Sequence, residues 1–283
     1  MDRLVAGGLD ASRRAFTYVF EFRREAAGGA TVRTYRAWLA RAEGVKLVAE
    51  TTFRDAAPAC DLPHSGEFRV RKPASDHLEI GLLEGGETRT RVFTEPRRQN
   101  AAYAVPLKGG YARFASTAVT FATETEVLRG VGVWMEATHD GSAGPHVPGE
   151  WTVAYTSSFD IWVVVRKLAG GQFATFTDGS GTYAKGTRNT YSETAIEVDP
   201  ATKIALPRKS AHALAWSKSR IELGYGASWS ESIGTTRTPL VNAILKGDGH
   251  VIGRSGGTQS VTGLTWILAQ EPRSAAKAKG KKR

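Results

Sequence analysis

The chain has 283 residues, 41% of them hydrophobic and 9% aromatic, with 23% charged and a formal net charge of +10. That composition supports a packed core and excludes a disordered body. The single cysteine, Cys60, excludes an internal disulfide framework, and no apolar run approaches the roughly 18 residues of a membrane helix.

The N-terminal stretch MDRLVAGGLDASRRAF lacks the apolar segment of a secretory signal, so a cytoplasmic or virion location is expected. The first clear element is FTYVFEFRRE. Phe16, Tyr18, Phe20 and Phe22 fall on one face, and Thr17, Val19, Glu21 and Arg23 on the other, which predicts a strand with a buried aromatic face. In TVRTYRAWLARAE the spacing of Tyr35, Trp38, Leu39 and Ala42 predicts a helix over 32–43.

Cys60 precedes Asp61 and stands four residues before His64. A Cys/His nucleophile pair is conceivable there, but an inert loop thiol is the stronger reading. SGEFRVRKP sets Phe68 and Val70 against Arg69 and Arg71, a second strand. DHLEIGLLEGGETRTRVFTEP reads as two strands around a Gly85-Gly86 turn.

The loop THDGSAGPHVPGE, 138–150, is the best candidate sub-boundary, and equally suits a long loop within one domain. It holds His139, Asp140 and His146, which lack a third strong ligand, so no metal or other cofactor is predicted. Residues 150–200 are the most strand-like part. Ile161, Val163 and Val165 alternate with Trp162, Val164 and Arg166, and Gly170-Gly171 and Asp178-Gly179 mark turns. TYSETAIEV and HALAWSKSRIELGYGASW continue the strand composition. TPLVNAILKG carries Thr238 as a cap, Pro239 in the first turn and Gly247 as a stop, which predicts a helix over 238–247.

GRSGG, 253–257, fits the G-x-S-x-G pattern. A nucleophile elbow requires a following helix, then an acid and a histidine, yet no Asp or His follows Ser255. The similarity to the GDSGG of chymotrypsin-like proteases fails too, because Arg254 stands where that pattern has Asp. The stretch is expected to be a glycine turn between two strands.

Charge placement sets the functional expectation. Residues 1–200 hold 24 basic and 24 acidic residues, and the whole excess lies in the last third. Residues 273–283 carry Arg273, Lys277, Lys279, Lys281, Lys282 and Arg283 without any apolar period, and read as a flexible arm suited to phosphate. Trp216, with Lys218 and Arg220, resembles the aromatic-and-basic arrangement that stacks bases on a sheet, and Trp162 has a similar setting. The seven tryptophans otherwise belong by default in a core.

No repeat of 20–50 residues is evident. The expected fold is mainly β, an antiparallel sandwich or barrel with a few short helices, comprising a body over 1–272 and a disordered basic C-terminal arm over 273–283. The expected function is that of a non-enzymatic, coat-like structural protein that self-associates and binds RNA or DNA without sequence preference. The alternatives are a β-rich assembly module, of phage-tail or pore-forming type, and an enzyme with a dispersed active site.

Overall fold

The computed structural model describes residues 2–27, 29–55, 68–74, 77–84, 87–96, 103–107, 110–139, 149–158, 160–166, 173–177, 184–186, 190–198, 205–214, 218–232 and 241–269. All of its regular elements are strands; there is no helix among the described residues. The chain divides into two compact units, Met1–Ala40 with Lys46–Pro145, and Arg41–Val45 with His146–Arg283.

The first unit contains β1 (Asp2–Leu9), β2 (Ala15–Ala27), β3 (Ala30–Arg41), β4 (Gly44–Asp55) and β5 (Phe68–Ala74). It continues with β6 (His77–Glu84), β7 (Glu87–Pro96), β8 (Tyr103–Leu107), β9 (Gly110–Thr123) and β10 (Val127–His139). The second unit holds β11 (Gly149–Tyr155), β12 (Ile161–Arg166), β13 (Phe173–Thr177), β14 (Ala184–Gly186) and β15 (Thr190–Val198). Its last strands are β16 (Ala205–Leu214), β17 (Ser219–Ser232), β18 (Val241–Ile252) and β19 (Thr258–Ala269).

The two sheets share one plan. The first runs β4-β3-β2-β1-β10-β9-β7-β6-β5, with β8 paired to β9; the second runs β14-β13-β12-β11-β19-β18-β17-β16-β15. In each, a meander closes by pairing its first strand with its last, β1 with β10 and β11 with β19, antiparallel. The ends of each order are the fourth and fifth strands of the unit, so each sheet is nearly closed and barrel-like. Closure hides most strand edges, which an open sheet would leave as unpaired backbone.

The aromatic face read from the sequence is the core of the first unit. Phe16, Phe20 and Phe22 are buried, with Tyr18 packed against them. Phe16 meets Phe121 edge-on at 4.9 Å, and Phe22 meets Tyr35 at 5.2 Å. Each such pair adds about 0.5–1.5 kcal/mol beyond the area it buries. Phe68 and Val70 are buried and Arg69 is exposed, as their alternation predicts.

Both predicted helices are strands. Residues 32–41 lie in β3, where Arg33, Tyr35 and Ala37 are buried on one face and Trp38 and Ala40 on the other. In the second case 241–252 form β18, in which Asn242–Gly247 are all buried. A strand covered on both faces loses its polar alternation, and its apolar residues then fall at helix-like spacings. Trp38, Trp151 and Trp266 are core residues, as the default predicted.

Ser255 sits on a hairpin turn. Ile252 of β18 pairs with Thr258 of β19, Gly253 N–H donates to Gly257 O at 2.8 Å, and Gly256 takes φ +81°. Strand leads to strand, so the serine elbow is absent. The turns Gly85-Gly86, Gly170-Gly171 and Asp178-Gly179 lie outside the described residues, although the strands flanking each of them pair antiparallel. Cys60, His64, Asp140 and His146 also lie outside them, as does the arm 273–283.

Candidate active site

The second unit is apolar inside, with Ala154, Leu214, Ile221, Leu223, Ala243, Leu245, Val251, Val261 and Ile267 forming its core. Through this core runs a chain of buried hydrogen-bonded side chains. Ser210 Oγ on β16 bonds to Tyr225 Oη on β17 at 2.6 Å, and Tyr225 Oη bonds to Thr265 Oγ1 on β19 at 2.6 Å. Thr265 Oγ1 bonds to Thr152 Oγ1 on β11 at 2.9 Å, and Thr152 Oγ1 bonds to His212 Nε2 at 3.2 Å. The path leaves β16 at Ser210 and returns to it at His212. Glu150 Oε1 stands 4.0 Å from His212 Nε2, with both side chains almost wholly excluded from solvent.

Local sequence explains each placement. Glu150, Thr152 and Ala154 share the inner face of β11, as do Ser210, His212 and Leu214 on β16 and Thr265 and Ile267 on β19, by period two. Thr152 and Thr265 are directly cross-strand. Tyr225 has to cross β18 to reach Thr265. It crosses at Gly247, its direct cross-strand partner, which in turn faces Gly263 of β19. A Cβ on Gly247 would overlap Gly224 O and lie 3.0 Å from Tyr225 Cδ1. Glycine here is a packing requirement: the Gly224 carbonyl lies where a Cβ would be, and the phenol ring stands close beside it.

A bulge follows Tyr225. The β17–β18 register shifts between Tyr225 and Ala227, so Gly226 is the extra residue. Before it, Leu223 and Tyr225 oppose Gly249 and Gly247 on the inner face. After it, Ala227, Trp229 and Glu231 oppose Lys246, Ile244 and Asn242. The bulge thus ends the inward run of β17 at Tyr225. Beyond it Glu231 accepts from Asn242 Nδ2 at 2.9 Å, and Asn242 Oδ1 accepts from Trp266 Nε1.

Chemically the chain combines an acid, a base and a path between them. Each hydroxyl both donates and accepts, so protons along it can be ordered in either direction. In a low-dielectric interior such bonds reinforce one another.

The first unit has a buried charged group of a different kind. Arg3 Nη2 and Arg23 Nη2 both donate to Glu21, at 3.3 and 3.0 Å, and Glu21 is fully buried. Burial drives the Arg3 pKa down to about 9, against the opposing pull of Glu21. At neutral pH Arg3 stays charged.

Of the residues expected to meet nucleic acid, Lys218 is exposed at φ +52°, and Arg220 is exposed and paired with Glu222 at 2.7 Å. Both line a cleft of about 470 Å³ with Leu214, Glu222 and Ile252, which shares no residue with the hydrogen-bonded chain. Trp216 and the six basic residues Arg273, Lys277, Lys279, Lys281, Lys282 and Arg283 lie outside the described residues; Trp162 lies on β12. No cluster of three or more potential metal ligands occurs among the described residues. Sequence reasoning missed Ser210, Tyr225, Thr265, Thr152, His212 and Glu150. Their one sequence signal is a polar residue at an inward position of an alternating strand.

Solved structures share this fold. An AttH-type protein from Nitrosomonas europaea matches with a TM-score of 0.61 at 9% identity, over 94% of this chain and 91% of its own. Kievitone hydratase from Nectria haematococca matches at 0.63 and 8% identity, over 95% and 89%. CghA, solved with Sch210972, matches at 0.51 and 13%, over 95% and 88%. No protein-family model matches the chain, and no curated protein sequence does.

These likenesses show the fold, and they correct the functional expectation. The chain was expected to be a non-enzymatic coat or virion protein. Its fold is instead one found in a hydratase, and none of these neighbours is a capsid protein. The absence of a sequence motif for catalysis was therefore no ground for excluding an enzyme, because a site assembled across a barrel leaves no contiguous motif. No helix among the described residues is long and apolar enough to cross a membrane.

Proposed function

We propose that the chain is an enzyme of the hydratase type, adding water to or removing it from a carbon–carbon double bond of an uncharged small organic molecule in the second unit. The observation that carries this reading is the buried chain Ser210–Tyr225–Thr265–Thr152–His212, with Glu150 at its histidine end. Hydration needs one group to protonate carbon and another to take a proton from water. In this reading the Tyr225 phenol is the acid, and His212, with the Glu150 carboxylate beside it, is the base. The two threonine hydroxyls link them, so a proton lost at one end is replaced from the other and no net charge accumulates between apolar walls. The core residues around the chain, Leu214, Leu223, Leu245 and Ile267 among them, penalise any charged group placed beside it. The occurrence of the fold in kievitone hydratase supports the same reaction class.

The test is turnover in ¹⁸O-labelled water. A panel of uncharged alkenes, and the tertiary alcohols that correspond to them, is incubated with the full chain. A product carrying one ¹⁸O, or loss of water from an alcohol, is expected from at least one pair. Tight binding of panel members with no exchange of water into any of them would overturn the proposal and leave a binding protein.

A further inference from the structure

Lys246 lies on the opposite face of β18 from Gly247 and takes no part in the hydrogen-bonded chain. Its side chain is 3% exposed. Its cross-strand neighbours are Ala227 on β17 and Leu264 on β19, and Ile244 precedes it on its own face, fully buried. The amine reaches along the strand: Nζ donates to Gly247 O at 3.3 Å and stands 3.6 Å from Asp248 Oδ1. Asp248 is 70% exposed and is steadied by Thr262 Oγ1, which donates to Oδ1 at 3.0 Å. The stem is thus buried in apolar surroundings, and the amine ends directly beneath an exposed carboxylate.

We infer that Lys246 is a reactive amine that condenses with the carbonyl group of a small aldehyde or ketone, with Asp248 as its proton shuttle. Three features support this. Apolar neighbours disfavour the ammonium, and desolvation lowers the Lys246 pKa below the ordinary lysine value in spite of Asp248. A neutral amine is the nucleophilic form. Asp248 Oδ1 stands 3.6 Å from the buried amine, and the 70% exposure of Asp248 puts solvent on that side of it, the side from which a small carbonyl compound arrives.

The steps balance without a further reactant. The Nζ lone pair attacks the carbonyl carbon, the C=O π electrons move to oxygen, and Asp248 takes a proton from nitrogen while the oxygen is protonated from water. Asp248 then returns its proton to the departing hydroxyl, which leaves as water as the C=N bond forms, and the iminium nitrogen gives its remaining proton to the hydroxide left by the first step. The net change is carbonyl plus amine giving imine plus water.

Butanal with sodium cyanoborohydride at pH 7 tests the inference, since hydride from the reagent converts the imine into a stable secondary amine. Peptide mapping of the full chain reads the initial labelling rate at each lysine. The expected result is labelling at Lys246 about tenfold faster than at the exposed Lys209 and Lys218, a difference that disappears in denaturant. Asp248→Asn is expected to slow labelling at Lys246 severalfold and leave Lys209 unchanged. Labelling at Lys246 no faster than at Lys218 in the folded chain would overturn the inference. A rate at Lys246 unchanged in Asp248→Asn would remove Asp248 from it.

Discussion

Thr152 Oγ1 and His212 Nε2 are hydrogen-bonded at 3.2 Å although β11 and β16 are separated in the sheet by β19, β18 and β17. A flat sheet would hold such strands roughly 19 Å apart at normal strand spacing. The bond therefore spans the inside of a curled sheet and depends on its closure. Thr152 also bonds Thr265, so one hydroxyl joins the two halves of the buried chain.

Thr152→Val keeps the shape and removes that hydroxyl. Two buried partners then lose a bond, and the expected cost is about 1–3 kcal/mol, read as a lower midpoint in denaturant with an unchanged slope. An unchanged midpoint would show that the chain adds nothing to the fold.

Gly247→Ala tests the packing of Tyr225. The added methyl overlaps the Gly224 carbonyl and presses on the Tyr225 ring, so the β17 backbone next to Tyr225 has to shift, which disturbs the two 2.6 Å bonds of its hydroxyl. A loss of about 1–3 kcal/mol is expected from overpacking. Ser255→Ala on the exposed turn is expected to fall within about 0.5 kcal/mol of the parent. Thermal unfolding of the two variants side by side separates the roles of the two glycine-rich stretches.

Glu21→Gln removes the carboxylate shared by Arg3 and Arg23. Breaking a buried ion pair from one side costs about 3–5 kcal/mol, because buried charge is left without its counter-ion. The exposed pair Arg208–Glu197, at 2.8 Å, is the control: Glu197→Gln is expected to cost less than about 1 kcal/mol. Equal losses would contradict the buried status of Glu21.

Lys246 gives a pH dependence with a definite sign. Its folded pKa lies below that of the unfolded chain, about 10.4 for a free lysine. Between the two values the unfolded chain binds more protons, so the contribution of this group to stability rises with pH. Below the folded value it is a constant cost. Lys246→Met is therefore expected to stabilise the chain at pH 7, by about 1 kcal/mol or more, and the gain is expected to shrink as pH approaches 10.4. A gain that grows with pH would reverse the sign.

The parts of the fold legible in the sequence are those whose second face carries polar residues. The Phe68–Val70 strand alternates because Arg69 is exposed, and the Phe16–Phe22 strand, buried on both faces, still alternates because Thr17, Glu21 and Arg23 lie opposite its aromatic rings. At β3 and β18 both faces are buried, so Trp38 and Ile244 break the alternation and simulate helices. The shared plan of the two units is invisible as a repeat, since a meander asks each strand only for alternation and each turn only for a tight bend. The buried chain was hidden for a related reason. Thr152, Ser210 and Thr265 look like any surface Thr or Ser until closure brings together positions 60 and 113 residues apart.

The central claim is that Tyr225 and His212 act on substrate from either side of the hydrogen-bonded pair Thr265 and Thr152. The most direct measurement is kcat for ¹⁸O incorporation from labelled water in the parent, Tyr225→Phe, His212→Asn and Ser255→Ala, each first shown to be folded by its strand-type circular dichroism. The account predicts that Tyr225→Phe and His212→Asn each lower kcat by about 10²–10⁴-fold, while Ser255→Ala stays within about twofold of the parent. Folded Tyr225→Phe and His212→Asn variants that both turn over at the parental rate would contradict it.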